Sequence, residues 1–274
     1  MSKTLLIYER AVPVSKKHHA QHYVQPSPDY GFARDVNSLP LLAQEFRVAA
    51  AEYPIVFAGN KEQVMPAVLL GFAEQENFFI DDEGRWKSRY IPAFARRYPY
   101  IFSSADQGKT FTLCIDEEYQ GLNTSGQGER LFNDDGEQTD YLNKILDFQK
   151  NFQLAHHRTQ EFCKRIMKLG LLEPTQAQLK YSSGENRSMG GFMAISRERL
   201  RELSGEALAE LNQLDELELI YLHLQSMRNI ADLADLSDPG AATDDASAEK
   251  SSESKKTTAK KLNGASRKKT AKKK

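Results

Sequence analysis

Residues 139–170 read TDYLNKILDFQKNFQLAHHRTQEFCKRIMKLG and form the longest segment with a single periodicity. The side chains of its predicted inner face recur mostly three or four residues apart, as on one face of an α-helix. They are Leu142, Ile145, Leu146, Phe148, Phe152, Ala155, Thr159, Phe162, Ile166 and Leu169. Gly170 is a typical helix stop, because glycine adopts a positive φ without strain. The pattern predicts a helix over Thr139–Leu169.

Short runs rich in β-branched and aromatic residues lie on both sides of this helix. The predicted strands are 53–58, 64–72, 77–80, 100–103, 110–115, 177–182 and 190–195. Further helices are predicted over 39–52, 91–97, 196–203, from Ser204 onward, and over 215–236. The last of these carries an apolar stripe from Leu217 to Leu233.

These patterns predict an α+β fold, with a mostly antiparallel sheet from the first half of the chain packed by the two long helices. Beyond Asp238 the chain has no aromatic residue and consists mainly of Ala, Ser, Thr, Asp, Glu and Lys. Such a segment cannot bury enough apolar surface to offset the entropy lost on ordering. We therefore predict one domain over 1–238 and a disordered, lysine-rich tail over 239–274.

The net charge of −1 conceals two parts of opposite sign. The last 25 residues hold eleven Lys or Arg and one Glu, so they carry +10 and leave −11 on the first 249. No apolar run reaches the length of a membrane span, and the N-terminus lacks the apolar core of a secretory signal. A cytoplasmic location is predicted, with export that uses no cleaved signal left open. Cys114 and Cys163 lie among apolar residues and are predicted to be buried free thiols.

The sequence contains no familiar catalytic, nucleotide-binding or metalloprotease motif. We predict no cofactor and no metal site. His18, His19 and His22 form a cluster, but their polar surroundings and the nearby prolines favour solvated side chains over metal ligands. His156 and Cys163 are two helical turns apart, about 10 Å along the axis, which is too far for a hydrogen-bonded catalytic pair.

Residues 78–100, here called the Arg/aromatic segment, are denser in aromatic and arginine side chains than any other part of the chain. The candidate binding residues are Phe79, Arg85, Trp86, Arg89, Tyr90, Arg96 and Arg97. Trp, Tyr and Arg are the side chains that dominate recognition surfaces. The alternative interpretation is an ordinary strand–turn–helix core whose amphipathic side chains extend to solvent.

The tail offers a second candidate contact region, for nucleic acid or another acidic surface. Its candidate residues are Lys260, Lys261, Arg267, Lys268, Lys269, Lys272, Lys273 and Lys274. Such a tail binds by counterion release without sequence preference, and it has no aromatic side chain for base stacking. A solvated tail that only aids solubility is the alternative.

Several spaced motifs resemble the bacterial SapC family. They are EYPIVF (52–57), PAVLLGF (66–72), ENFFIDDEGRW (76–86), RYIPAFARRYPY (89–100), LCID (113–116), LFNDDGE (131–137) and GGFMAISRERL (190–200). The resemblance covers most of residues 1–236. It implies an association with surface-layer systems or, for some members, a peptide-transport label, and it supplies no catalytic residues. A membrane permease shares the family's name but is unrelated, and the lysine-rich tail is not part of the family pattern.

Three functions follow from these observations. The leading hypothesis is a non-enzymatic, intracellular accessory or interaction protein with an unknown protein partner and the Arg/aromatic segment as its recognition surface. The second is an enzyme whose site is assembled from distant residues and acts on a peptide or small molecule. The third is a nucleic-acid-associated protein anchored by its tail.

Overall fold

The computed structural model describes residues 6–60, 62–106, 108–180 and 186–237, and it confirms the α+β prediction. The strands are Ala11–Pro13 (β1), Tyr23–Val24 (β2), Ser38–Pro40 (β3), Ile55–Gly59 (β4), Val64–Leu69 (β5), Tyr100–Ser103 (β6), Thr112–Asp116 (β7), Leu122–Asn123 (β8), Glu129–Arg130 (β9), Leu172–Lys180 (β10) and Asn186–Ile195 (β11). The α-helices are Lys16–His19 (α1), Phe46–Ala49 (α2), Ala93–Arg96 (α3), Asp140–Lys168 (α4), Arg197–Arg201 (α5), Gly205–Gln213 (α6), Glu216–Ser226 (α7) and Asn229–Ser237 (α8).

The described strands form three antiparallel sheets. The largest has the order β10-β11-β4-β5-β3, and two smaller ones have the orders β1-β7-β6 and β8-β2-β9. The hairpin of β10 and β11 comes from the second half of the chain and pairs with β4. The sheet was expected from the first half of the chain, and the structure extends it with this hairpin from the second half.

Helix α4 confirms the predicted long helix and connects two hydrophobic cores. The hydroxyl of Thr139 caps its N-terminus by accepting a hydrogen bond from the backbone N–H of Leu142 (3.3 Å). Its C-terminal half buries Phe162 against Phe57 of the large sheet, with ring centroids 6.3 Å apart. Its N-terminal half places Leu142 in a second core beside the smaller sheets. One rigid helix thus fixes the position of the small sheets relative to the large one.

The predicted helix over 215–236 is divided into α7 and α8 at Met227 and Arg228. The Ser226 hydroxyl accepts a hydrogen bond from the backbone N–H of Ile55 (3.0 Å). The Asn229 amide donates to the carbonyl oxygens of Ala50 and Tyr53, each at 3.0 Å. These polar side chains satisfy backbone groups between the end of α2 and the start of β4, and the helix is interrupted where they do so.

Two other predicted elements differ from the structure. The region 39–52 contains the end of β3, a 3-10 turn at Ala43–Glu45 and the short α2 instead of one helix. The predicted strand over 77–80 is a turn in which the Asn77 side chain accepts from the Phe79 backbone N–H (2.9 Å). In both places a buried polar side chain bonds the backbone locally, which competes with regular structure.

His223 of α7 links β4 and β11, whose backbones share one registered pair, Met193 opposite Phe57. Its imidazole is fully buried. Nε2 accepts a hydrogen bond from the Ile195 N–H (3.0 Å), and Nδ1 lies 2.9 Å from the Ile55 carbonyl oxygen. Both contacts are satisfied by the neutral ring with its proton on Nδ1. Burial lowers the pKa of His223 from 6.5 to about 4.

We expect His223 to make the folded state sensitive to mild acid. The unfolded chain takes up a proton on this residue near pH 6.5, whereas the folded chain resists protonation down to about pH 4. The contribution of His223 to the free energy of unfolding should therefore be complete above pH 6.5. As the pH falls towards 4, the free energy of unfolding should decrease by up to about 3 kcal/mol. Urea unfolding at a series of pH values measures this slope. His223→Asn, which cannot titrate, should show a shallower slope between pH 6.5 and about 5, and an unchanged slope would contradict the assignment.

Candidate functional site

The aromatic side chains at the start of the Arg/aromatic segment face the protein interior. Phe79 is 5% exposed, and its ring centroid lies 4.7 Å from that of Tyr53. The Trp86 indole donates a hydrogen bond to the Tyr53 hydroxyl (2.8 Å), which in turn donates to the Tyr90 carbonyl oxygen. These contacts hold the segment against the large sheet. The proposed binding role of Phe79 and Trp86 stays a prediction.

The first two arginines of the segment lie on either side of Trp86. Arg85 pairs within its own turn, with Nε 2.8 Å from Asp81 and a terminal nitrogen 2.9 Å from Glu83. Arg89 is anchored through its backbone, whose N–H donates to the Glu52 carboxylate (2.8 Å). Both pairs of Arg85 are largely exposed and contribute little to stability.

A buried carboxylate fixes the middle of the segment. Glu45 is 3% exposed, and its Oε1 accepts from the Tyr90 hydroxyl (2.6 Å) and the Ala93 N–H (2.8 Å). Its other oxygen, Oε2, accepts from the Leu42 N–H (2.9 Å). Burial is the main cause that raises the pKa of Tyr90, and the hydrogen bond to Glu45 raises it further. This carboxylate therefore sets where α3 begins and hence where Arg96 and Arg97 are placed.

Arg96 and Arg97 line a cleft of about 420 Å³, here called the tyrosine cleft. Four separate segments supply its rings: the loop after β2, the end of α3 with β6, the turn after β7 and the first turns of α4. The rings are those of Tyr30, Phe32, Tyr98, Tyr100, Tyr119, Tyr141 and Phe148. Phe32 stacks on Tyr98 at 4.0 Å, and Tyr119 meets Tyr98 edge-on at 5.6 Å.

Gly84 connects the Arg/aromatic segment to the tyrosine cleft. Its carbonyl oxygen accepts the backbone N–H of Tyr30 (2.7 Å), and its φ is +80°. A Cβ at this position would lie 2.0 Å from Oδ1 of Asp29. Only glycine therefore lets the turn approach closely enough to hold the Tyr30 loop in place.

Arg97 is the most unusual residue of the tyrosine cleft. Its guanidinium carbon lies 4.0 Å from the ring centroid of Phe94 and 4.7 Å from that of Phe152. Its Nε is buried and has no hydrogen-bond partner among the described residues, and a hydrogen bond links the guanidinium to Tyr8. Burial lowers the pKa of Arg97, while Tyr8 acts in the opposite direction. Cation–π contacts replace only part of the hydration that a buried guanidinium loses.

The histidine and cysteine candidates lie in structural contacts. Helix α1 ends at His19, so His18 and His22 do not share one helical face. His19 is buried and accepts the Ser15 N–H through Nδ1 (3.3 Å). Burial raises the pKa of the Cys163 thiol to about 12, which makes it a poor nucleophile at neutral pH.

Comparison with known proteins gives one finding. The family model described as SapC matches residues 14–233, which is most of the chain. The chain belongs to the SapC family. The resemblance seen in the spaced motifs is thereby confirmed, and in this SapC chain the match includes every ring that lines the tyrosine cleft. No curated protein and no solved structure is similar enough to count as a match.

The sequence predicted only some of the residues that line the tyrosine cleft. Arg96 and Arg97 were predicted from sequence, whereas Tyr30, Tyr119 and Tyr141 were not, because they come from distant segments. The tail residues from Lys260 to Lys274 lie outside the described residues, so their contact role stays a prediction. Within the described ranges, no helix combines the length and apolar character needed to cross a membrane.

Proposed function

We propose that this SapC-family chain is a non-enzymatic binding protein whose tyrosine cleft takes an extended segment of a partner protein. The observation that carries this proposal is the wall of five tyrosines converging from four segments. Aromatic-lined grooves bind extended, proline-containing peptides, and tyrosine gives large contact area at a low entropy cost. The surface-layer and peptide-transport settings implied by the family resemblance both offer polypeptide ligands.

The chemistry of the buried titratable groups favours binding over catalysis. His223 has both ring nitrogens engaged by backbone groups, and Glu45 accepts three hydrogen bonds. Cys114 and Cys163 are buried free thiols whose pKa values are raised by burial. These groups serve the fold. The two thiols also fit the proposed cytoplasmic location, where cysteines stay reduced.

A peptide-display selection on the full chain tests the proposal. Random 12-residue peptides recovered by the native chain are synthesised, and their affinities are measured for the native chain and for Tyr141→Ala. Tyr141 lines the cleft at the start of α4, and losing a central aromatic contact should weaken binding about tenfold or more.

Tyr221→Ala is the matched control. Tyr221 is 53% exposed on α7 and does not line the tyrosine cleft, so its removal should leave affinity unchanged. Peptides that bind Tyr141→Ala as tightly as the native chain would place recognition elsewhere. A selection that enriches no peptide at all would also count against the proposal.

A further inference from the structure

We propose that Gln149 determines which segments the tyrosine cleft accepts, by receiving a hydrogen bond from one backbone N–H of the bound ligand. The inference rests on the proposed function, because it concerns the same cleft. It adds a property of the ligand. The ligand residue that lies over Gln149 carries an N–H and is therefore not proline, although prolines can lie on either side of it.

Gln149 is a buried residue of α4 that lines the tyrosine cleft, and it is 2% exposed. Its Nε2 donates a hydrogen bond to the carbonyl oxygen of Tyr100 (3.0 Å), which also lines the cleft. A carbonyl oxygen can only accept, so the NH₂ end of the amide must be the end that faces Tyr100. The other end, Oε1, is thereby fixed as an acceptor that points away from this bond.

The Oε1 atom of Gln149 is unpartnered and accessible. Within the described ranges, no N–H or O–H group donates to it. It is also not among the fully enclosed side-chain atoms that lack a partner in the described part of the chain, so solvent reaches it. Asn229 shows the other case, because its Nδ2 also donates to backbone carbonyl oxygens but its Oδ1 is both unpartnered and fully enclosed. Since Gln149 lines the cleft and is otherwise buried, its Oε1 meets solvent in the cleft.

The fold alone does not require a glutamine at this position. The Tyr100 carbonyl oxygen also accepts from the Tyr8 hydroxyl (2.8 Å), so it would keep a partner if residue 149 were apolar. A buried amide costs free energy unless its hydrogen bonds are made, and Oε1 makes none with the described residues. A polar side chain that the fold leaves half satisfied is expected where a ligand completes its bonds.

The ligand group that meets Oε1 is a neutral donor. The charged side chains of Asp29, Arg96 and Lys144 line the cleft at exposed positions, whereas Gln149 lies in its buried part, against Tyr100. A cation buried against a neutral amide would lose hydration without gaining an opposite charge. A peptide N–H has no such cost, and an extended segment presents one at each residue other than proline.

Two small amides test the requirement for a donor. N-methylphenylacetamide carries one N–H and N,N-dimethylphenylacetamide carries none, while both have the same aromatic ring and carbonyl group. Each is titrated into the full chain by NMR. The first should bind about fivefold more tightly, as expected for one hydrogen bond between neutral groups. Gln149→Met, which keeps the length of the side chain but accepts hydrogen bonds poorly, should erase the preference.

Gln153→Met is the matched control. Gln153 lies one turn further along α4 and lines a different cavity, beside Phe102 and Phe111, so this variant should keep the native preference. The side-chain NH₂ signals of Gln149 in the native chain give a second measurement that does not depend on the folding of any variant. At equal occupancy, they should shift more with the probe that carries an N–H than with the probe that lacks it.

Selected peptides then locate the donor within a longer ligand. Methylation of one backbone nitrogen at a time should reveal a single internal position at which the native chain loses about fivefold in affinity. Gln149→Met should not discriminate at that position, since the acceptor has been removed. The recovered peptides should carry residues other than proline there.

The outcomes separate this inference from the proposed function. Equal binding of the two probes by the native chain, or a preference that survives Gln149→Met, would overturn the donor requirement while leaving the cleft as a binding site. Failure of both probes to bind would also overturn it, and the peptide selection would then judge the proposed function alone. Peptides that lose affinity for Tyr141→Ala but tolerate Gln149→Met and methylation at every nitrogen would support the proposed function and contradict this inference.

Discussion

Replacing His223 with leucine should lower the free energy of unfolding by about 4 kcal/mol. Leucine has a similar volume but cannot bond the Ile195 N–H or the Ile55 carbonyl oxygen, both of which the imidazole bonds in the buried interior. Each buried group left without a partner costs about 1–3 kcal/mol. Because β4 and β11 share one registered pair, few backbone bonds remain there to compensate. Urea unfolding of both proteins at pH 7 measures the difference.

His157→Leu is the control for the change of residue type. His157 is exposed on α4, so the same substitution there should alter the free energy of unfolding by no more than about 0.5 kcal/mol. His223→Gln should fall between the two, because an amide can satisfy one of the two backbone groups. A loss below about 1 kcal/mol for His223→Leu would show that the strands are joined without the imidazole.

The elements that sequence predicted well are those whose cause is local. The inner-face spacing from Leu142 to Leu169 and the cap at Thr139 define α4 within one segment. The hairpin strands β6 and β7 similarly follow from a short turn between two β-type runs. In these places periodicity and turn chemistry lead to the same element.

The elements that differ have a distant cause. The break between α7 and α8 depends on Ser226 and Asn229, whose partners Ile55, Ala50 and Tyr53 are more than 170 residues away in the chain. The apolar stripe continues through the break, so periodicity alone predicts one helix. Long-range polar contacts of this kind leave no pattern in a single sequence.

The candidate site was likewise predictable only where its residues are close together in the sequence. Arg96 and Arg97 stood out because aromatic and arginine residues are concentrated around them. The remaining cleft residues, such as Tyr30, Tyr119 and Lys144, are ordinary in their local sequence and become significant only when the fold brings them together. The only hint in the sequence was its eleven tyrosines, and their number does not indicate which of them lie close together in the fold.

Replacing Glu45 with leucine should both destabilise the fold by about 4 kcal/mol and disturb the tyrosine cleft. The carboxylate is the acceptor for the Leu42 N–H, the Ala93 N–H and the Tyr90 hydroxyl, and leucine accepts none of these bonds. Two buried backbone donors would then lack partners at about 1–3 kcal/mol each. Because the same contacts fix the start of α3, Arg96 and Arg97 should also be displaced. Urea unfolding and peptide affinity report the two effects.

An exposed salt bridge serves as the comparison for Glu45. It shows whether the loss of a charge or the loss of buried hydrogen bonds destabilises the fold. Glu218 lies 2.6 Å from Arg47, yet both side chains are largely exposed, at 44% and 70%. Glu218→Leu removes this ion pair and should cost less than about 1 kcal/mol, because solvent screens exposed pairs.

Glu45→Gln should lower the free energy of unfolding by an amount between those of Glu218→Leu and Glu45→Leu. Its amide oxygen can still accept from two donors, while its NH₂ faces the Leu42 N–H. If Glu218→Leu proves as damaging as Glu45→Leu, ionic pairing matters more to this fold than buried hydrogen bonds. If Glu45→Leu retains full peptide affinity, Arg97 is positioned by its aromatic neighbours alone.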